Sequence, residues 1–369
     1  MRVLLFSDLH AHQFKPYSTV LSNGLNSRFQ DVLNILDQIR VIAGAEKVGL
    51  ILFGGDLFHV RRVINVQTFN FVFEAIARLK LARKGSPGCQ LGLLVGNHDQ
   101  TDRSGGIHSI YAFGAMVEVM DRIKWHTFAV GQDRLNVLAV PYFGNKQEAL
   151  KQINEAVQSA QLQGPSILLG HFGISGALAG SNFVLVDKEL MELEDIKPDQ
   201  FDQVFLGHYH ESQQLAPNVR YIGAPMHHNW GDFGQERGCL IWDTDSNRVD
   251  FIPLLYPSFV KMSLDELQHL PNVKVQGDFI RVFCLHGVRP QGEEKVKDDL
   301  VNQLGARSVE FIDEAVENQK LAEAGPYQPG TDIETMIQHF VSSNDGDLDP
   351  EMLIEAGLDL YRAAVSKEK

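Results

Sequence analysis

Short apolar runs alternate with longer amphipathic stretches over the first part of the chain. Residues 2–6 (RVLLF) read as a buried strand ending just before Asp8. Between 28 and 43, Phe29, Val32, Leu33, Leu36 and Ile39 recur at helical spacing. Residues 48–53 (VGLILF) read as a second strand, 66–82 as a helix and 91–95 as a third strand. This alternation predicts an α/β fold with a parallel sheet whose strands deliver functional residues at their carboxyl ends. Further strands are expected near 123–128, 136–140, 166–169, 203–206, 219–222, 238–243 and 247–253, with a helix near 146–161. A hairpin turn over 243–248 joins the last two strands. Residues 258–313 predict a small α/β unit, with strands at 279–285 and 308–312 around a helix at 293–304. Residues 323–331 have linker composition, and short amphipathic helices are expected over 332–342 and 350–366. The expected organisation is a catalytic domain over 1–257, a small α/β domain over 258–322, and a linker with terminal helices over 323–369.

Composition narrows the function classes. Hydrophobic residues make up 44% of the 369, enough for a substantial core, yet no apolar stretch approaches the roughly 20 residues of a membrane helix. The opening MRVLLFSDLH is interrupted too early by Asp8 and His10 for a signal peptide. Cys89, Cys239 and Cys284 are odd in number and far apart, which fits a reducing compartment better than a disulfide framework. The expectation is a soluble, cytoplasmic protein. A formal net charge of −14 argues against a free-standing nucleic-acid binder with a broad basic face.

Five segments at or just after apolar runs carry the chemistry: Asp8-Leu9-His10, Gly54-Gly55-Asp56-Leu57-Phe58-His59, Gly96-Asn97-His98-Asp99, Gly170-His171 and Gly207-His208-Tyr209-His210. Phosphodiester cleavage needs a hydroxide nucleophile, neutralised phosphate oxygens and a protonated leaving oxygen. Two metal ions about 3.5–4 Å apart can provide the first two. Mixed Asp, His and Asn ligation without thiolate suits manganese or iron more than structural zinc. Side chains at i and i+2 point the same way in extended chain, so Asp8 with His10, and His208 with His210, are each expected to converge on one site. Asp56, after two glycines, has room to sit between ions. Gly54, Gly55, Gly96, Gly170 and Gly207 are expected to let the backbone approach the ions closely. His98 reads as general acid or transition-state stabiliser rather than as a ligand. Asp99, its neighbour, is expected to fix the His98 tautomer.

Taken in order, DxH, GGDLFH, GNHD, GH and GHxH resemble the calcineurin-like metallophosphoesterases. His59 after Gly-Asp-Leu-Phe narrows the resemblance to SbcD-type DNA-repair nucleases and their counterparts in large tailed phages, as does the stretch 219–225 (VRYIGAP) followed by Arg237-Gly238 and Asp243-Thr244. The Asp-Arg-Gly continuation of the protein phosphatases is absent. The resemblance covers about residues 1–257. It implies a β-sandwich flanked by helices, with a small α/β cap domain and C-terminal helices. It implies one ion held by Asp8, His10, Asp56 and His210, and another by Asp56, Asn97, His171 and His208, with Asp56 bridging. His59 and His98 would act on the substrate. The implied cofactor is a pair of Mn2+ ions, with Fe2+ or Mg2+ as alternatives. The implied activities are 3′-to-5′ exonuclease on double-stranded DNA and endonuclease on single strands or hairpins. The implied partners are DNA, a second copy in a homodimer, and the coiled coil of an SMC-like, SbcC-type ATPase gripped by the terminal helices. A small-molecule phosphodiesterase or phosphomonoesterase, and a noncatalytic scaffold for such an ATPase, are the alternative functions.

Other residues carry less. Arg61 and Arg62 fit either a DNA-backbone contact or a solvated loop end. His227 and His228 share a loop with Trp230 and Asp232 that is expected to border the site. The apolar stripe Met352, Leu353, Ala356, Leu360, Tyr361 and Ala364 fits core packing or partner binding equally.

Overall fold

Successive side chains of β1 (Arg2–Phe6) enter two different cores: Val3 and Leu5 face one, Leu4 and Phe6 the other. A strand buried on both faces must be apolar at every position, which is why it reads as a continuous run rather than an alternation. In this computed structural model, residues 1–82, 89–101, 105–180, 183–184, 190–268, 275–285, 288–313, 337–338, 341 and 349–366 are described.

β1 pairs in parallel with β2 (Leu50–Phe53), β2 with β3 (Gln90–Leu94), and β3 with β4 (Glu118–Met120). The antiparallel hairpin of β13 (Gly238–Asp243) and β14 (Arg248–Pro253) completes this six-stranded sheet on the other side of β1. The second six-stranded sheet runs β11 (Gln213–Ala216), β12 (Val219–Tyr221), β10 (Gln203–Gly207), β7 (Ser166–His171), β6 (Asp133–Val140) and β5 (Lys124–Val130). Its four central strands are parallel and its two edges antiparallel. A small ribbon of β8 (Leu178–Gly180) and β9 (Phe183–Val184) follows β7.

The sheets pack on each other through Val3, Leu5, Leu52 and Trp242 from one and Val137, Ile167, Leu169 and Phe205 from the other. The outer face of the first sheet is covered by α1 (Ser27–Ala45) and α2 (Val66–Lys80), that of the second by α3 (Lys146–Gln158). Each of these helices starts at an asparagine, Asn26, Asn65 or Asn145, whose side chain accepts a first-turn amide. The architecture is thus two mixed sheets flanked by helices. The expected parallel order survives at the centre of each sheet. It is split between two sheets because every central strand is apolar on both faces, so each sheet needs a helical layer on one side and the other sheet on the other. β4 and β11 escaped the sequence reading because three or four residues of mixed polarity and burial leave no apolar run.

The chain divides into two compact units, Met1–Phe183 with Lys188–Pro257, and Val184–Asp187 with Ser258–Lys369. In the second, β15 (Phe259–Ser263), β16 (Phe279–Cys284) and β17 (Ser308–Asp313) form a parallel sheet. It packs with α5 (Glu293–Asn302) around Met262, Ile280, Val282 and Leu300, and the short α4 (Leu264–Gln268) follows β15. The last helix is α6 (Pro350–Ser366). The expected linker at 323–331 lies outside the described residues, as does the helix expected over 332–342 apart from 337–338 and 341. Among the described residues, no helix is long and apolar enough to cross a membrane.

Candidate metal centre

All five segments leave the carboxyl ends of parallel strands. Asp8 and His10 follow β1, Asp56 follows β2, and Asn97 and His98 follow β3. His171 closes β7 and faces Gly207 in the β10 register, just ahead of His208 and His210. The two sheets therefore deliver their ligands to one place.

Local conformation differs from the extended pairing expected from i, i+2 spacing. Asp8 (φ 53°), His10 (φ 49°), Asp56 (φ 63°) and His208 (φ 95°) all adopt left-handed backbone, which costs a residue with a Cβ of order 1 kcal/mol. Main-chain amides hold the turns in place: Asp8 N–H donates to Gly55 O (2.9 Å), His10 N–H to Asp56 O (3.0 Å), and His208 N–H to both Asp8 carboxylate oxygens (3.1 Å). Asp8 and His10 still converge, but His208 and His210 diverge. His210 Nε2 meets His10 Nε2 at 3.1 Å, whereas His208 Nδ1 lies 3.0 Å from the Asn97 amide oxygen.

Asp56 sits between the two groups. Its Oδ2 is 3.6 Å from His10 Nε2 and its Oδ1 is 3.4 Å from His171 Nε2. Candidate ligand atoms of Asp8, His10 and His210 lie within 4.8 Å of one another, as do those of Asp8, Asp56 and His171. The His171 Nδ1–H donates to Gly54 O at 2.7 Å, which fixes the ring and turns Nε2 toward Asp56 and Asn97. The Asn97 amide oxygen is 3.0 Å from both His171 Nε2 and His208 Nδ1. In the opposite orientation the amide nitrogen would donate there and the oxygen would accept from Arg61 Nη2 at 3.2 Å. With the oxygen inward and the His171 proton displaced, the lone pairs of His171 Nε2, His208 Nδ1 and the amide oxygen can face one another, an arrangement that a cation satisfies. The donor set, buried carboxylates and imidazoles with opposed lone pairs, fits a pair of divalent cations.

The charges agree. Burial pushes the Asp56 carboxyl up, but His171, His10 and His98 outweigh it and hold it well below the usual carboxylate range. Burial pushes His10 far down and His208 down to about 3, leaving neutral rings ready to ligate. His171 is the exception: burial lowers it, but the Asp56 and Asp8 carboxylates raise it to about 9.

His59 and His98 stack 5.4 Å apart at 19°, beside His10. The His98 Nδ1–H donates to His59 O at 2.6 Å, leaving Nε2 for another partner. Burial lowers His59 to about 4. Asp99 is not where the sequence reading put it. Its carboxylate accepts the amides of Asp56 (2.9 Å), Leu57 (3.0 Å), Phe58 (3.3 Å) and Gly96 (3.0 Å), with no hydrogen bond to the His98 ring among the described residues. A buried carboxylate binds the nearest convergent donors, and here these are the amides of the Asp56 turn. Asp99 therefore shapes that turn rather than His98. Burial and the Asp56 charge raise it to about 7.

Gly96 and Gly55 approach the site as expected: a Cβ on Gly96 would strike the Asp56 carboxylate, and one on Gly55 (φ 106°) the His171 ring. Gly170 instead makes room for the Phe172 ring. His228 is the residue the sequence undervalued. It is buried, its Nε2–H donates to Asp8 O at 3.0 Å, and its ring lies 5.2 Å from His10 and 5.3 Å from His210. The only local sign was a histidine pair near Trp230; its partner is 220 residues away. His227, by contrast, turns to Gln235 O and Tyr256.

Comparison with known proteins places the chain in a family. Residues 1–212 match the family of calcineurin-like phosphoesterases. The chain is 24% identical over 325 residues to exonuclease subunit 1 of Enterobacteria phage T4, covering 83% of this chain and 85% of that protein. Among solved structures, a 5′-nucleotidase precursor from Thermus thermophilus aligns at 16% identity and a TM-score of 0.39, covering 69% of this chain. The chain spans about half of that molecule, 54%. A dimetal phosphatase from Danio rerio aligns at 11% identity and a TM-score of 0.38, covering 65% of this chain and 91% of the other. With the family match spanning more than half its length, the chain belongs to the calcineurin-like phosphoesterases, a family that works through a pair of metal ions.

Proposed function

We propose that this chain is the nuclease subunit of an SbcCD-like recombination and repair complex, hydrolysing DNA phosphodiesters with two Mn2+ ions. The observation that carries the reading is Asp56, poised between His10 and His171 with the paired His59 and His98 rings alongside. Asp8, His10, Asp56 and His210 would hold one ion, and Asp56, Asn97, His171 and His208 the other. Bound there, the ions supply an acidified water and neutralise phosphate oxygens. His98 Nε2 gives its proton to the leaving oxygen, with Nδ1–H tied to the His59 carbonyl so that the ring cannot turn away. His59 contacts the departing strand. Asp99 holds the Asp56 turn in position from behind.

DNA as substrate is supported by the similarity to the phage exonuclease subunit along most of both chains. That relative is a subunit, and the −14 charge suits a chain that borrows DNA affinity from a partner. On this reading residues 1–257 form the nuclease domain, 258–322 a cap, and the C-terminal helices within 323–369 grip an SMC-like ATPase; the nuclease works as a homodimer. Three buried cysteines without disulfides suit a cytoplasmic site of action.

The test is Mn2+-dependent digestion of an end-labelled duplex by the purified chain, beside an Asp56→Asn control. Stepwise nucleotide loss that vanishes in the control is expected. Hydrolysis of a chromogenic diester without attack on DNA, alone or with an ATPase partner, would sink the nuclease reading in favour of a small phosphoester.

A further inference from the structure

We infer that His228 is a positioning residue that sets the affinity of one of the two cation sites, the one built from Asp8, His10 and His210, and leaves the other largely alone. The inference rests on the two-ion reading above.

Three contacts carry it. The His228 Nε2–H donates to the Asp8 carbonyl at 3.0 Å. Asp8 is left-handed, so its carboxylate direction depends on how its peptide is held, and His228 holds it from outside the β1 turn. The same ring stands edge-on to His10 (5.2 Å, 87°) and at 66° to His210 (5.3 Å), so it also walls two imidazoles whose Nε2 atoms face each other at 3.1 Å. One side chain thus touches all three ligands particular to that site. Among the described residues it makes no hydrogen bond or ring contact to Asn97, His171 or His208.

The main chain that carries the ring is itself clamped. The His228 N–H donates to Asp232 Oδ2 at 2.6 Å, and its carbonyl accepts from Arg28 Nη2 at 2.7 Å. Asp232 Oδ1 in turn accepts from the buried Arg237 Nη2 at 2.6 Å. A loop clamped by a buried charge pair and a buried arginine on its carbonyl is rigid enough to fix a ligand's angle, and such outer partners commonly govern metal affinity by about 10- to 100-fold.

The experiment is Mn2+ titration of the full chain by calorimetry, with the electron paramagnetic resonance of the loaded protein recorded in parallel. Wild type is expected to take up two ions as a spin-coupled pair. His228→Leu, which removes the donor, is expected to weaken one ion tenfold or more and the other by less than twofold, giving the signal of an isolated ion at limiting manganese. His228→Gln, which can still donate to Asp8, is expected to recover most of the loss. Anomalous scattering at the manganese edge should place the retained ion beside His171. Equal weakening of both ions, weakening of neither, or a Gln variant as impaired as Leu would overturn the inference. If circular dichroism finds His228→Leu unfolded, Asp232→Asn, which slackens the clamp, must weaken the same ion selectively; no selective change refutes the inference. A wild type that binds fewer than two ions defeats the two-ion reading itself, and this inference with it.

Discussion

Of the side chains proposed to hold the ions, His171 is the one whose protonation would oppose metal binding. The Asp56 and Asp8 carboxylates hold it at about 9 against the pull of burial, so at neutral pH the metal-free protein carries a proton there that an ion must displace. Protons are bound by the free form and released on loading, so Mn2+ affinity should rise with pH until about 9 and flatten above it. Calorimetry in buffers of different ionisation enthalpy at pH 7.5 should find close to one proton released per chain; none released would contradict this. On the proposed reading His98 serves the leaving oxygen rather than the ions, so His98→Ala should keep both ions and lose about 10²- to 10⁴-fold in kcat on a DNA substrate. Full turnover with metal bound would refute that role.

At the scale of elements, the turn after β2 is held from several sides. Asp99 gathers four amides from two segments, and Gly96 leaves no room for a Cβ against the Asp56 carboxylate. Asp99→Ala strands four buried donors at about 1–3 kcal/mol each before relaxation, so urea denaturation should record a loss of about 3 kcal/mol or more. Gly96→Ala should cost about 1–3 kcal/mol by overpacking and also displace Asp56, so metal uptake should fall with stability. Unchanged metal binding in a destabilised Gly96→Ala protein would separate the turn from the site. The sequence announced this turn through GGDLFH and GNHD, yet assigned Asp99 to its chain neighbour. Adjacency says nothing of where a carboxylate finds donors, and three of the four donors here lie 41 to 43 residues upstream in the turn that β2 delivers.

At the scale of the whole molecule, charge decides how DNA would be held. A chain of net charge −14 should make few phosphate contacts of its own, so the salt slope of duplex binding by the isolated chain should be shallow, with about two or fewer phosphates neutralised. Fluorescence anisotropy across a salt series, in calcium to block cleavage, measures it. A slope matching six or more phosphates would mean that the chain binds DNA strongly without a partner.

Much of this protein was fixed by local pattern. Apolar runs ending near Asp8, Asp56, Asn97, His171 and His208 determined the central strands and the side chains that the strand ends bring together, because burial on both faces writes itself into consecutive residues and candidate ligand chemistry into residue type. Tertiary structure alone decided the rest. It divided the strands between two sheets, bent Asp8, His10, Asp56 and His208 into left-handed turns held by main-chain amides bonded to other segments, drew Asp99 to the amides of the Asp56 turn, and set His228 against Asp8. Each of these depends on a partner distant along the chain, and hydrogen-bond geometry between distant segments exists only once the sheets have packed.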